Sequence, residues 1–200
     1  AKLPNNACWL TFDDGYKDHY KFVLPELLNR NLHGAFFPPR VAIEDDVVLD
    51  VNSIHHILSC CSEIDQLVSK LNAHCLSAGI SNKKISLFYE DLAVANRFDN
   101  ANTIYVKRML QHALPEELRS SITENLFQEF VGLSFEDFSK ELYMSIDEVQ
   151  NLAKSGMYVG SHGSRHYWLD KISPDEQEKD INESLTFIEK IGAATKDWVM

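Results

Sequence analysis

Short apolar runs and helical patterns alternate at the start of the chain. The runs Cys8–Phe12 and Gly34–Phe37 are apolar and end at turn-forming residues, which is typical of buried strands. Between them, residues 17–31 have apolar side chains at helical spacing, and Pro25 is expected to kink or restart that helix. This strand–helix–strand order predicts a parallel sheet. The predicted apolar face of the helix consists of Tyr20, Val23, Leu24, Leu27 and Leu28.

The middle of the chain has a different pattern. From about residue 43 to about residue 143, strand signals nearly vanish and apolar positions recur at helical spacing. We therefore expect three parts: residues 1–42 with the first strands and helix, a helical insertion over 43–143, and residues 144–200, where a strand returns. A lid over a site, a partner surface and simple packing on the rim remain open as roles for the insertion. The predicted helices are Val51–Cys61, Glu63–Ala78, Lys83–Asn96, Thr103–Leu114, Pro115–Val131 and Phe135–Tyr143.

Capping signals punctuate the last part of the chain. Ser145 and Glu148 have the spacing of a capping box, and the helix that they open leads into a strand at Met157–Gly160. Ser173 and Glu176 have the same spacing and open a second helix. The inward-facing residues of that helix are predicted to be Ile181, Leu185, Ile188 and Ile191, and a further strand is predicted at Lys196–Met200.

Composition and charge narrow the classes of function. The formal net charge is -11 and the Lys and Arg residues form no cluster, so we expect no binding to nucleic acid. An acidic surface also disfavours docking on anionic membranes. No apolar stretch approaches the ~20 residues that span a bilayer, so no membrane span is expected.

The four cysteines indicate little beyond ordinary packing. Cys8 lies in the first predicted strand and is expected to be a core residue. Cys60 and Cys61 are adjacent and cannot easily pair with each other. No Cys-x-x-Cys spacing occurs, which argues against a cysteine zinc site. Free thiols favour a reducing compartment, so we expect a cytoplasmic location.

Two adjacent carboxylates end the first predicted strand. Asp13 and Asp14 stand just before Gly15. If both were ionised without a cation nearby, they would repel and one pKa would rise, whereas a bound metal removes that conflict. Taken alone, the segment is equally consistent with an ordinary Asp-Asp-Gly turn.

Two histidines four residues apart follow the strand predicted at Met157–Gly160. The spacing of His162 and His166 allows both imidazoles to bind one cation, and Gly160 and Gly163 favour a loop rather than a helix around them. Two surface histidines near a turn are the alternative. In α/β folds, ligands bind where strands end, so we expect the carboxylates and the histidines to meet.

Several segments together resemble one family. Thr11-Phe12-Asp13-Asp14-Gly15 resembles the first motif of the NodB-type polysaccharide deacetylases, which are carbohydrate esterases. Gly160–His166 resembles their second motif, His-Ser/Thr-x-x-His, and Ala35-Phe36-Phe37 is similar to their second-strand signature, Ala-Thr-Phe-Phe, without the Thr. Ser145–Gly156 resembles the helix before the second motif. The resemblance implies an α/β fold, a partial, deformed and TIM-like (β/α) barrel, here with a large all-helical insertion.

The resemblance also implies a function. The family consists of metal-dependent hydrolases that remove acetyl groups from sugars, so we expect cleavage of a C–N amide bond in an N-acetylated polysaccharide or glycoconjugate. Asp13 matches the catalytic base, and the metal ligands match Asp14, His162 and His166. One divalent ion is expected, most simply zinc, with cobalt or nickel as alternatives. The expected partner is an acetylated carbohydrate.

The sequence departs from the family pattern at two places in and just after the second motif. Gly163 replaces the Ser or Thr that usually follows the first histidine, so we expect the bracing of this loop to be altered. Tyr167 and Trp168 replace the usual Pro. These aromatics fit either a sugar site or the core, and the apolar Trp168-Leu169 pair favours the core.

A third departure is that the later motifs of the family are missing. These motifs supply an Arg turn, an Asp-Trp pair and a Leu-x-His whose histidine is the general acid. We therefore expect a fragment of a longer protein, with the acid beyond residue 200 and little or no deacetylase activity in this chain alone. An incomplete barrel leaves open sheet edges, so a homodimer is also expected.

Two rival functions remain open. The first is a non-catalytic sugar-binding or assembly protein that keeps the deacetylase fold, and Gly163 gives it some weight. The second is an amide hydrolase that acts on a small non-sugar substrate.

Overall fold

The computed structural model describes residues 5–193, which contain a small parallel sheet. Its strands are β1 (Thr11–Asp13), β2 (Ala35–Phe37) and β3 (Tyr158–Val159), in the spatial order β1-β2-β3. Both strand pairs are parallel, which confirms the parallel sheet predicted from the order of the elements. Within residues 5–193 the sheet is open, because β1 and β3 each pair with β2 alone.

Helices make up most of the described chain. Among residues 5–193, none is both long and apolar enough to cross a bilayer. In chain order they are α1 (Leu24–Asn29), α2 (Arg40–Glu44), α3 (Asp50–Cys60), α4 (Ile64–Ser77), α5 (Asn82–Leu92), α6 (Ala101–Arg108), α7 (Glu116–Val131), α8 (Phe135–Leu142), α9 (Ile146–Lys154) and α10 (Pro174–Lys190). Shorter helical turns occupy His19–Val23 and Met109–Ala113, which are π-helical, and Leu169–Lys171, which is 3-10.

The chain divides into two compact units. Within the described residues, one consists of residues 5–47 and 136–193 and contains the sheet with α1, α2, α9 and α10. The other, Val48–Phe135, contains α3 to α7 and no strand within its described residues. All six helices predicted between residues 51 and 143 are present, with ends that differ by a few residues. Their apolar residues recur with the helical period, so pattern alone sufficed to find them.

The core of the sheet-containing unit forms around β2. All three residues of β2 are buried, because α-helices cover a parallel sheet whose central strand has a neighbour on each side. Apolar side chains from α1, α9 and α10 pack against this strand and its neighbours. They include Leu24, Leu27, Val149, Leu152, Phe187 and Ile188.

The first strand is shorter and more exposed than predicted. We expected a buried strand at Cys8–Phe12, but β1 begins at Thr11, and the prediction that Cys8 is a core residue is wrong because Cys8 is exposed. Trp9 is 60% exposed and Leu10 is also exposed. β1 is an edge of the sheet in the described residues, so the residues that precede it lack a second neighbour to cover them.

The hydrogen-bond pattern of the first helix changes just before Pro25. A π-helical turn ends at Val23, and α1 starts with Pro25 in its first turn. Proline lacks an N–H and its ring would clash with the carbonyl four residues earlier, and the π-helical turn accommodates this. The backbone stays right-handed helical at Val23 and Leu24, so the helix does not restart at Pro25, which was one of the two predicted outcomes. The predicted apolar face is only partly correct, because Leu28 is 50% exposed.

Both predicted capping boxes are present. The Ser145 hydroxyl accepts a hydrogen bond from the Glu148 backbone N–H, and the Glu148 carboxylate accepts one from the Ser145 backbone N–H. Ser173 and Glu176 form the same pair at the start of α10. The predicted inward face of α10 is partly correct: Ile188 and Ile191 are buried, whereas Ile181 and Leu185 are half-buried. The strand predicted at Lys196–Met200 lies outside the described residues.

Candidate metal centre

The two carboxylates occupy the end of β1 and the turn that follows it. Asp13 is the last residue of β1, and Asp14 and Gly15 both have positive φ, at 68° and 72°. Aspartate tolerates this conformation better than most residues. Gly15 also lacks room for a side chain, because a Cβ would lie 3.0 Å from Cβ of Pro38. The chain therefore turns sharply at Asp14 and gives the two carboxylates different surroundings.

The two histidines lie in a tight loop after β3. Gly163 and His166 in this loop have positive φ, at 76° and 57°. The Ser161 hydroxyl accepts a hydrogen bond of 3.0 Å from the Gly163 backbone N–H. The ring centroids of His162 and His166 are 4.7 Å apart. The loop predicted from the glycines is therefore present, and it brings the imidazoles side by side.

Asp14 lies between the two imidazoles. Its Oδ1 atom is 3.6 Å from Nε2 of His162 and 3.6 Å from Nε2 of His166. One ligand atom from each of the three residues lies within 4.8 Å of the other two. Two imidazole nitrogens and one carboxylate oxygen are a donor set that divalent zinc accepts, with positions left open for water and substrate. The residues thus fit a divalent ion.

Tyr16 was not singled out in the sequence, yet it contacts this cluster. Its hydroxyl donates a hydrogen bond of 3.3 Å to Oδ2 of Asp14, while Oδ1 faces the histidines. The two oxygens of Asp14 therefore have separate partners. A tyrosine two residues from a ligand gives no sequence signal for this contact.

Asp13 has an unpartnered buried oxygen. Its Oδ1 atom is buried and has no hydrogen-bond partner among the described residues. A buried carboxylate oxygen without a donor is costly, and such atoms are most often retained where a ligand or water completes them. Asp13 therefore has acceptor capacity beside the three candidate ligands.

Burial lowers the pKa of the His166 imidazole. The charge of neighbouring His162 lowers this pKa further, while the carboxylates of Asp14, Asp13 and Asp180 oppose the shift. Burial has the largest effect because it disfavours the charged form. The neutral imidazole, which is the form that binds a metal, is favoured as a result.

Three other residues near the loop were missed by the sequence analysis. Asp180 of α10 and Arg40 of α2 both hydrogen-bond to the loop between His162 and His166. His19 contacts the aromatic rings next to β1. Of these three residues, Asp180 is a charged residue of α10 that the structure shows to be buried. Its charge was visible in the sequence, but its burial was not.

The aromatic pair after the second histidine is not in the core. Trp168 is 54% exposed, so the interpretation of this residue as core is wrong. Tyr167 is half-buried. The apolar pair Trp168-Leu169 gave a wrong prediction because only a short 3-10 turn begins at Leu169. Neither residue lies in a β-strand or α-helix that packs in the core.

Comparison with known protein families gave a match over the last part of the chain. Residues 123–200 match the family model described as Polysaccharide deacetylase. No curated protein and no solved structure matched the chain. The matched range contains His162 and His166 but neither Asp13 nor Asp14, and the structure brings Asp14 to the two histidines from the turn after β1. The match confirms the resemblance to polysaccharide deacetylases that the motifs predicted, over residues 123–200.

Proposed function

We propose that this chain carries the metal centre of a hydrolase that removes acetyl groups from N-acetylated sugars, in a polysaccharide or glycoconjugate. The observation that carries the proposal is the cluster of Asp14, His162 and His166, whose ligand atoms lie within 4.8 Å of one another. The deacetylase match over residues 123–200 supports the reaction class. The chemistry of the donors favours zinc, with cobalt or nickel as alternatives.

The four residues have distinct proposed roles. Asp14, His162 and His166 hold the ion, which supplies Lewis-acid activation of water and of the acetyl carbonyl when bound. Asp13 is the general base and accepts a proton from the attacking water at its carboxylate. Its buried Oδ1 supports this role, because that oxygen has no hydrogen-bond donor among the described residues and so keeps a free acceptor position.

The proposed architecture is a deformed (β/α) barrel to which β1, β2 and β3 contribute. Residues 1–42 and 144–200 belong to the barrel, and residues 43–143 form an all-helical insertion. The parallel strand order and the helical character of α3 to α7 support this division. We also propose a cytoplasmic location, which the four free cysteines support.

Metal content tests the proposed site directly. We expect about one divalent ion per chain by plasma mass spectrometry after loading with zinc, because three ligands suffice for tight binding. His162→Ala should lose the ion, whereas His55→Ala, which changes an exposed histidine of α3, should keep it. Absence of metal in the wild-type chain after loading with zinc, cobalt or nickel would contradict the proposal.

Replacement of the proposed base separates binding from chemistry. In the full-length protein, Asp13→Asn should keep the bound ion but release acetate from N-acetylglucosamine oligomers roughly 10²–10⁴-fold more slowly, because the proton acceptor is lost. Near-normal turnover would refute the role of Asp13. Metal binding with sugar binding but no acetate release in the wild type would favour the non-catalytic rival, and release from small amides alone would favour the non-sugar hydrolase.

A further inference from the structure

A buried carboxylate of α10 contacts the loop that carries the two histidines. Asp180 is 4% exposed. Its Oδ2 atom accepts a hydrogen bond of 2.9 Å from the Ser164 backbone N–H, and its Oδ1 atom accepts one of 2.9 Å from the Arg165 backbone N–H. Burial of a carboxylate is costly unless donors compensate it, and here two consecutive backbone donors do so.

These two donors lie between the candidate ligands. Ser164 and Arg165 are two of the three residues that separate His162 from His166. The third is Gly163, where a Cβ would lie 3.0 Å from Oδ2 of Asp180, so a side chain at that position would crowd the carboxylate. The bonds to Asp180 therefore fix the backbone segment whose conformation sets the distance between the imidazoles.

The segment is also held by α2 and the residues near it. The Val41 backbone N–H donates to the Ser164 carbonyl at 3.0 Å. Nε of Arg40 donates to the Ser164 hydroxyl at 2.8 Å, and that hydroxyl donates to Glu183 at 2.9 Å. Ser164 itself is completely buried. These contacts fix the position of Ser164. The Arg165 backbone N–H donates to Asp180, so Asp180 fixes the half of the loop next to His166.

We propose that Asp180 is a positioning residue that sets the relative placement of the His162 and His166 imidazoles and thereby the affinity of the site for a divalent ion. This inference rests on the proposed metal centre. In this chain the Asp180 carboxylate of α10 would brace the loop, as a Ser or Thr at position 163 would otherwise do. Groups that orient metal ligands typically change metal affinity by about 10–100-fold when they are removed.

The test is Asp180→Asn, which has almost the same volume. Asparagine offers one acceptor oxygen and one NH₂ group, so one of the two loop N–H donors would face another donor. Zinc affinity is measured by competition with a chromogenic chelator, and the visible spectrum of the Co²⁺-loaded chain reports ligand geometry. We expect a loss of affinity of about 10–100-fold and an altered Co²⁺ spectrum. Asn182→Ala, on the exposed side of the same helix, should leave both unchanged.

A second measurement separates loop positioning from general loss of structure. Amide hydrogen exchange should become faster at Ser164 and Arg165 in Asp180→Asn, with α9 and β3 unaffected. A folded variant with wild-type affinity, Co²⁺ spectrum and exchange would overturn the inference while leaving the proposed function intact. A wild-type chain that binds none of Zn²⁺, Co²⁺ and Ni²⁺ would overturn the proposed function and the metal role of Asp180 together.

Discussion

The imidazole of His19 is packed among aromatic rings beside the candidate site. Its ring centroid lies 5.6 Å from that of Phe12, 5.5 Å from that of Tyr16 and 6.0 Å from that of Phe36. The Nδ1 atom is buried and has no hydrogen-bond partner among the described residues. Burial lowers the pKa of His19 below its ordinary value of 6.5, although the charges of nearby aspartates oppose this shift.

This lowered pKa predicts a specific pH dependence of stability. Because the folded state binds a proton at His19 less readily than the unfolded state, the contribution of His19 falls as the pH decreases below 6.5. His19→Phe keeps an aromatic ring and removes the titrating group. We expect the free energy of unfolding of this variant, measured with urea at about pH 7.5 and about pH 5.5, to decrease less than that of the wild type.

The matched control is His33→Phe, which changes an exposed histidine of the same unit. It should leave the wild-type pH dependence nearly unchanged. If the free energy of unfolding of His19→Phe decreased between the two pH values as much as that of the wild type, the burial of His19 would not contribute to the pH dependence of stability.

The sequence predicted the elements well where the signal was local. The helices α3 to α7 and the capping boxes of α9 and α10 depend on residues three or four positions apart, and all were found. The short helix α2 was missed, because its five residues are too few to show a repeating pattern. The π-helical turn before Pro25 lies inside the helix predicted over residues 17–31, and only its hydrogen-bond pattern was not predicted.

The start of α9 offers a prediction at the scale of an element. Ser145→Ala removes the hydroxyl that accepts from the Glu148 backbone N–H, and α9 leads directly into β3. We expect the free energy of unfolding to fall by about 1 kcal/mol, as measured by urea denaturation. Glu148→Gln keeps an acceptor for the reciprocal bond and should cost much less. Equal losses in the free energy of unfolding of the two variants would contradict a specific contribution of the Ser145 hydroxyl to stability.

At the scale of the whole molecule, the open sheet predicts self-association. Within residues 5–193, β1 and β3 each have one unpaired edge, and such edges template pairing with another chain. We therefore expect light scattering to give about twice the chain mass of 22.9 kDa.

A charged residue on the edge strand tests how the copies associate. Thr11→Lys adds a charge at an exposed position of β1 and should weaken the dimer, because lysine on an edge strand opposes edge pairing. A wild-type chain that stays monomeric at high concentration would contradict the expected homodimer. A dimer that Thr11→Lys does not weaken would place the contact away from β1.

The sequence by itself determined the longer helices, the capping boxes, the parallel sheet and the residues that resemble the deacetylase motifs. These features depend on short-range spacing, which sets side-chain direction and backbone hydrogen bonding within one element. Only the tertiary structure decided which distant residues meet: Asp14 with His162 and His166, and Asp180 with their loop. It also decided that Trp168 is exposed. Such contacts arise from how separate elements pack, and no pattern within a single element specifies them.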